Sequence, residues 1–160
     1  MVDLTPILNL RTSRLDDLRK QEQKAAAGHL AAAAKVDEAR QKMQDYADEI
    51  RTLEVDLLRD LLNTELTGAD FTAFQSKLDQ AEKKAKRLAE DHREASEARD
   101  DAERELLERR RDRAEAQSRT NRIGELKKIL DEERRTEAIR KEDAEGDEFI
   151  DMMPRRKGAF

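Results

Sequence analysis

Side chains able to do chemistry are few in this chain and poorly placed for it. It holds no cysteine, so no thiolate nucleophile, thiolate metal site or disulfide framework can form. The two histidines, His29 and His92, have no glutamate three residues away in a His-x-x-Glu or Glu-x-x-His pattern. They read as polar residues on a helix seam, at levels too different to share a metal ion. Gly28, Gly68, Gly124, Gly146 and Gly158 stand alone, so no glycine-rich loop could cradle a phosphate, and no serine nucleophile elbow is present. The basic run Arg109-Arg110-Arg111 with Arg113 is interrupted by Asp112 and flanked by Glu105, Glu108 and Glu115. Its surroundings are acidic too: 33 basic against 38 acidic residues leave a net charge of −5. That run is a solvated helix face and lacks the basic footprint of a nucleic-acid binder. Neither an enzyme, a metal or cofactor protein nor a nucleic-acid binder fits; binding of protein partners remains.

The elements that present such a surface follow from composition. Charged residues make up 44% of the chain and aromatics 3%, against about 25% charged in an ordinary globular domain. So few large apolar groups cannot fill a layered core, but they can fill the seam between two helices. Balanced, interspersed charge argues against disorder. The expected fold is all-α: two long helices forming an antiparallel coiled-coil hairpin, with a flexible C-terminal tail.

Helix breakers fall where such a hairpin needs them. Thr5-Pro6 reads as an N-cap followed by proline in the first turn. Helix one is expected over about 5–65 and a turn over about 66–71, with Gly68 closing the first helix. Thr72-Ala73-Phe74-Gln75 reads as the capping box of helix two, expected over about 71–144. Glu145-Gly146-Asp147 should end it, leaving residues 145–160 as a flexible tail, acidic and then basic at Arg155-Arg156-Lys157. At about 1.5 Å per residue each arm would span roughly 90–105 Å.

Heptad spacing locates the seam. Helix one places Leu8, Leu15, Glu22, His29, Val36, Met43, Ile50 and Leu57 at one seam position and Leu4, Arg11, Leu18, Ala25, Ala32, Ala39, Tyr46 and Leu53 at the other. Helix two contributes Phe71, Phe74, Leu78, Ala81, Ala85, Leu88, His92, Ala95, Arg99, Ala102 and Leu106, then weakens at Arg109 and Arg113 before Ile123 and Leu130. Folding about Gly68 pairs residues whose numbers sum to roughly 137, which sets Glu22 near Arg113. No second continuous apolar stripe is visible, so a free monomer is expected. Outer faces carry acid-to-base pairs four apart, among them Glu38/Lys42, Glu82/Lys86 and Asp100/Arg104, each adding about 0.2–0.5 kcal/mol.

Phe71 and Phe74 at the turn either plug the seam or form a docking surface. Phe149-Ile150 with Met152-Met153, set among acids, either belongs to a disordered tail or is a short motif that folds on a partner. Met1-Val2-Asp3-Leu4-Thr5-Pro6 does not resemble a secretory signal, and the Leu30–Ala34 run is far shorter than the roughly 18 residues of a membrane span.

In length, central turn (Leu66 to Thr72), charged alanine-rich second helix and acidic end (Glu142-Asp143-Ala144-Glu145-Gly146-Asp147-Glu148-Phe149), the chain resembles the stalk proteins of type III secretion and flagellar export, the YscO/FliJ family. The resemblance implies a cytoplasmic protein, peripheral to the inner membrane through its partners. It would bind the hexameric export ATPase and couple it to the export gate, and some such proteins also bind secretion chaperones. It implies ATPase contact at the open end, through residues such as Arg11, Arg14, Arg134 and Arg140. A gate-facing surface would lie around Tyr46, Phe71 and Phe74. The rival reading is a structural coiled-coil spacer or adaptor with no ATPase partner.

Overall fold

The computed structural model describes residues 2–154. It contains two helices, α1 (Thr5–Asn63) and α2 (Gly68–Met152), which pack against each other as an antiparallel helical hairpin. Two compact units divide it: Arg19–Arg111, holding the turn, and Met1–Leu18 with Asp112–Phe160, holding the chain ends. They are called here the turn unit and the open-end unit.

Local chemistry sets the helix ends, and at three places it differs from the sequence expectation. At the start, Asp3 Oδ1 accepts the Thr5 N–H at 3.0 Å, so Asp3 rather than Thr5 caps α1. Pro6 sits in the first turn, where its missing N–H costs nothing. At the turn, Gly68 does not close α1; it begins α2, with no positive φ. The capping box is Thr67-Gly68-Ala69-Asp70. Thr67 Oγ1 accepts the Asp70 N–H at 3.3 Å, and Asp70 Oδ2 accepts the Thr67 N–H at 3.0 Å and its hydroxyl at 2.8 Å. Thr72, expected to cap, is already inside the helix and returns its hydroxyl to the Gly68 carbonyl at 3.0 Å. At the far end α2 runs on through Gly146 to Met152, because an isolated glycine weakens a helix without breaking it. Arg155-Arg156-Lys157, Gly158 and Phe160 lie outside the described residues.

Moving the turn changes the register. In the turn unit Tyr46 meets Ala81, Gln21 meets Arg109 and Glu22 meets Arg110, so facing residue numbers sum to about 130 and not 137. Glu22 lies 3.9 Å from Arg110. The cause is that α1 stops at Asn63 and α2 starts at Gly68, which centres the fold-back near residue 65.

The heptad frame of α1 holds throughout: every seam position from Leu4 to Leu57 is buried or half-buried, and Val36, 2% exposed, is sealed most completely. In α2 Ala81 and Leu106 are buried, while Phe71 and Leu78 stay exposed. The same spacing persists past Arg109 in the open-end unit, through Ala116, Thr120, Ile123, Lys127 and Leu130 to Arg134. That seam survives with few apolar groups because long basic side chains lay their methylenes along it. Outer faces carry the expected pairs Glu38–Lys42 and Glu82–Lys86, each at 3.1 Å. Asp100 pairs instead with its neighbour Arg99, and Arg104 with Asp101.

Candidate partner-binding surfaces

In the turn unit, Tyr46 is a seam residue and not part of an outer surface. Its hydroxyl donates to the Ala81 carbonyl at 3.3 Å, and the Lys84 ammonium stands 4.5 Å from its ring centroid. Phe74 is half-buried and closes the seam, whereas Phe71 is 54% exposed. Leu57, Leu61, Leu66, Phe71 and Phe74 line a hollow beside the turn, with Asp60, Asp70 and Lys77 on its rim. The carboxyl of Asp70 is held below its ordinary value by the Thr67 backbone N–H first and the Thr67 hydroxyl second.

The last turns of α1 add Val55, Leu58 and Leu62, all more than half exposed. At about 100° per residue these three share one flank, away from the Leu53-Leu57-Leu61 seam. They form a second apolar stripe, short and confined to the turn end. Its signal is present in the sequence as the adjacent leucine pairs Leu57-Leu58 and Leu61-Leu62, which a single heptad frame does not separate.

In the open-end unit, Arg11 is half-buried and Arg14 exposed. Both line a cleft with Leu18, Ala116 and Thr120 at its floor and Asp112, Glu115 and Arg119 at its edge. Arg134 is committed elsewhere: it donates to the Val2 carbonyl at 2.7 Å and lies 3.7 Å from Asp131. It ties the chain start to α2, so of the four arginines it is the least available to a partner. Asp3 belongs to the same fastening. Its carboxyl is lowered chiefly by the Thr5 backbone N–H, with Arg134 and Lys127 contributing at longer range. Arg140 lines a shallow hollow with Glu132, Glu133, Thr136 and Glu137. Past Arg134 every described residue is exposed, Phe149 among them at 62%.

Among the described residues no group of three His, Asp or Glu side chains converges. His92 Nε2 is sealed in the seam with no hydrogen-bond partner. No described helix is long and apolar enough to cross a membrane. What remains is a charged helical hairpin with apolar surface at its turn and at the end of α2.

Against that geometry, the profile of the family described as type III secretion protein YscO matches residues 4–152. The chain belongs to the YscO family. The match begins at the first seam leucine, Leu4, and ends at the last residue of α2, so it covers both helices. It includes the exposed end of α2 and stops before the basic stretch that follows it. No curated protein and no solved structure matches the chain. Membership makes this YscO-family chain a type III secretion protein.

Proposed function

We propose that this chain is the central stalk of a type III export apparatus, binding the hexameric export ATPase at its open end and the export gate at its turn. Membership of the YscO family over both helices is the observation that carries this reading. The surfaces fit the division of labour. The open-end cleft presents Arg11, Arg14 and Arg119 beside Asp112 and Glu115, a mixed-charge surface suited to fast, salt-sensitive contact. The turn presents Val55, Leu58, Leu62 and Phe71, an apolar surface suited to lasting contact. Binding of secretion chaperones belongs to the same reading, on either surface. A plain spacer has no use for exposed leucines at its turn, which favours the stalk over the structural adaptor.

The test is sedimentation of the purified ATPase and of the soluble gate domain, each with and without the chain. Arg11→Glu with Arg14→Glu should remove the chain from the ATPase and leave it on the gate domain, and Leu58→Ser with Leu62→Ser should do the reverse. Loss of both interactions in both variants, or of neither, would defeat the assignment of ends.

A further inference from the structure

The end of α2 is the least explained part of the molecule. Arg134, fastened to the Val2 carbonyl, is the last α2 residue that is not exposed. Beyond it Ile139, Phe149, Ile150, Met152 and Met153 are 54–82% exposed, a density of large apolar side chains that solvent-facing helix does not need. Three observations bear on what covers them.

The apolar residues form a stripe, and the stripe faces away from the hairpin seam. At about 100° per residue Ile139, Gly146 and Ile150 fall within roughly 40° of one another, with Phe149 adjoining. Met153 continues the same turn, its N–H donating to the Ile150 carbonyl at 3.2 Å. Leu130 and Arg134, which mark the seam, lie about 180° around the helix from that stripe. A longer α1 would therefore pass on the wrong side and could not be the occupant.

Charge identifies its chemistry. Between Glu142 and Asp151 stand six acids and no base. Asp143 and Asp147 border the stripe on one flank and Glu142 on the other. The arrangement also opposes the helix: the last turn of α2 has no basic residue, although a helix C-terminus is stabilised by cations and destabilised by anions. Cations supplied from outside would relieve both the crowding and the dipole.

Gly146 is the third observation. A Cβ built there meets nothing within 4 Å, so the chain's own packing does not require glycine. Its absence of side chain leaves a flat place inside the stripe, between Ile139 and Ile150, into which a foreign side chain can settle.

We infer that the end of α2, Ile139 to Met153, is a docking helix that seats its Ile139–Ile150–Met153 stripe in an apolar groove rimmed by lysines or arginines on a partner protein. The helix is the bound conformation, stabilised by the basic rim, and the interaction is of the helix-in-groove kind. This goes beyond the stalk reading and does not rest on it, because it uses only the chemistry of this segment.

The probe is a synthetic amphipathic helical peptide with a leucine stripe flanked by lysines, and a counterpart with glutamate in place of every lysine. The full-length chain, labelled through Glu49→Cys, is titrated with each by fluorescence anisotropy. The lysine peptide should bind and the glutamate peptide should not. The variant Phe149→Ser, Ile150→Ser, Met153→Ser keeps every acid and changes only exposed side chains; it should bind the lysine peptide at least about tenfold more weakly. Equal binding by the serine variant would reduce the segment to an unspecific acidic surface and overturn the proposal, as would no binding by the native chain. A native chain that dimerises in sedimentation equilibrium, where the serine variant does not, would put a second copy in the partner's place and overturn it as well. Failure of the ATPase to bind the chain would leave this result untouched, so the two readings fail separately.

Discussion

The hydroxyl of Tyr46 reaches across the seam to the main-chain carbonyl of Ala81, 3.3 Å away, and that contact fixes the register of the turn unit. Register can be read chemically because the native chain has no cysteine. Tyr46→Cys with Ala81→Cys should close a disulfide under mild oxidation. Tyr46→Cys with Asp91→Cys, the partner demanded by a fold-back about Gly68, should stay reduced. The gel mobility of the two double variants decides it, and the reverse pattern would restore the other register. Tyr46→Phe, which keeps the ring and loses the bond, should cost about 0.5–1.5 kcal/mol in thermal melts.

Val36 is the most deeply sealed side chain in the hairpin. Val36→Asp buries an unpaired carboxylate and should cost several kcal/mol. Ile50→Asp, at a half-buried position, should cost less, and Glu49→Lys on the outer face a few tenths. Circular dichroism melts should rank the three in that order. Equal loss of helicity in all three would contradict the seam.

Most of this seam is legible in the sequence. The heptad frame from Leu4 to Leu57 needs only the spacing of Leu, Val, Met and Ile, because a two-helix fold leaves each apolar side chain one place to go. The continuation past Arg109 is harder to read, since Arg113, Lys127 and Arg134 occupy seam positions with their methylenes while keeping charged tips in water. The turn is misread for a different reason. Thr67 and Thr72 stand at the head of equally plausible capping patterns, and only the fold-back shows that Asp70, not Gln75, closes the box. Partner-facing residues divide in the same way. Exposure of Phe149 follows from its place off the main seam, whereas Phe71 occupies a seam position in the heptad frame and is exposed all the same, and the withdrawal of Tyr46 and Arg134 depends on the carbonyls of Ala81 and Val2, which no side-chain pattern reveals.

The cap at the turn makes an acid-sensitive contact. Asp70 is lowered from its ordinary 3.8 by its bonds to Thr67. A depressed carboxylate adds stability that is present above its unfolded pKa and is lost as pH falls through its lower folded value. Proton resonance of the Thr67 amide should therefore hold steady down to about pH 4 and move below it. In Asp70→Ala that acid transition should disappear. A transition at or above pH 5 would contradict the bonding.

Leu58 and Leu62 are 58% and 85% exposed, so their removal should not weaken the hairpin. Leu58→Ser with Leu62→Ser should melt within about 0.5 kcal/mol per site of the native chain and be more soluble. A large loss of stability would show that both leucines are packed, and would withdraw the turn as a docking surface.

The central claim is that the open end acts on the export ATPase, and the most direct measurement is ATP hydrolysis by the cognate enzyme as the chain is titrated in. Hydrolysis should rise with chain concentration as the hexamer is bridged. It should rise less at high salt, because exposed charges are screened beyond about 8–10 Å at physiological ionic strength. Arg11→Glu with Arg14→Glu should abolish the rise while leaving helicity unchanged, and Glu49→Lys should leave the rise intact. A folded chain that gives no stimulation of an active ATPase at any concentration, at low salt or high, would contradict the account and favour the structural adaptor.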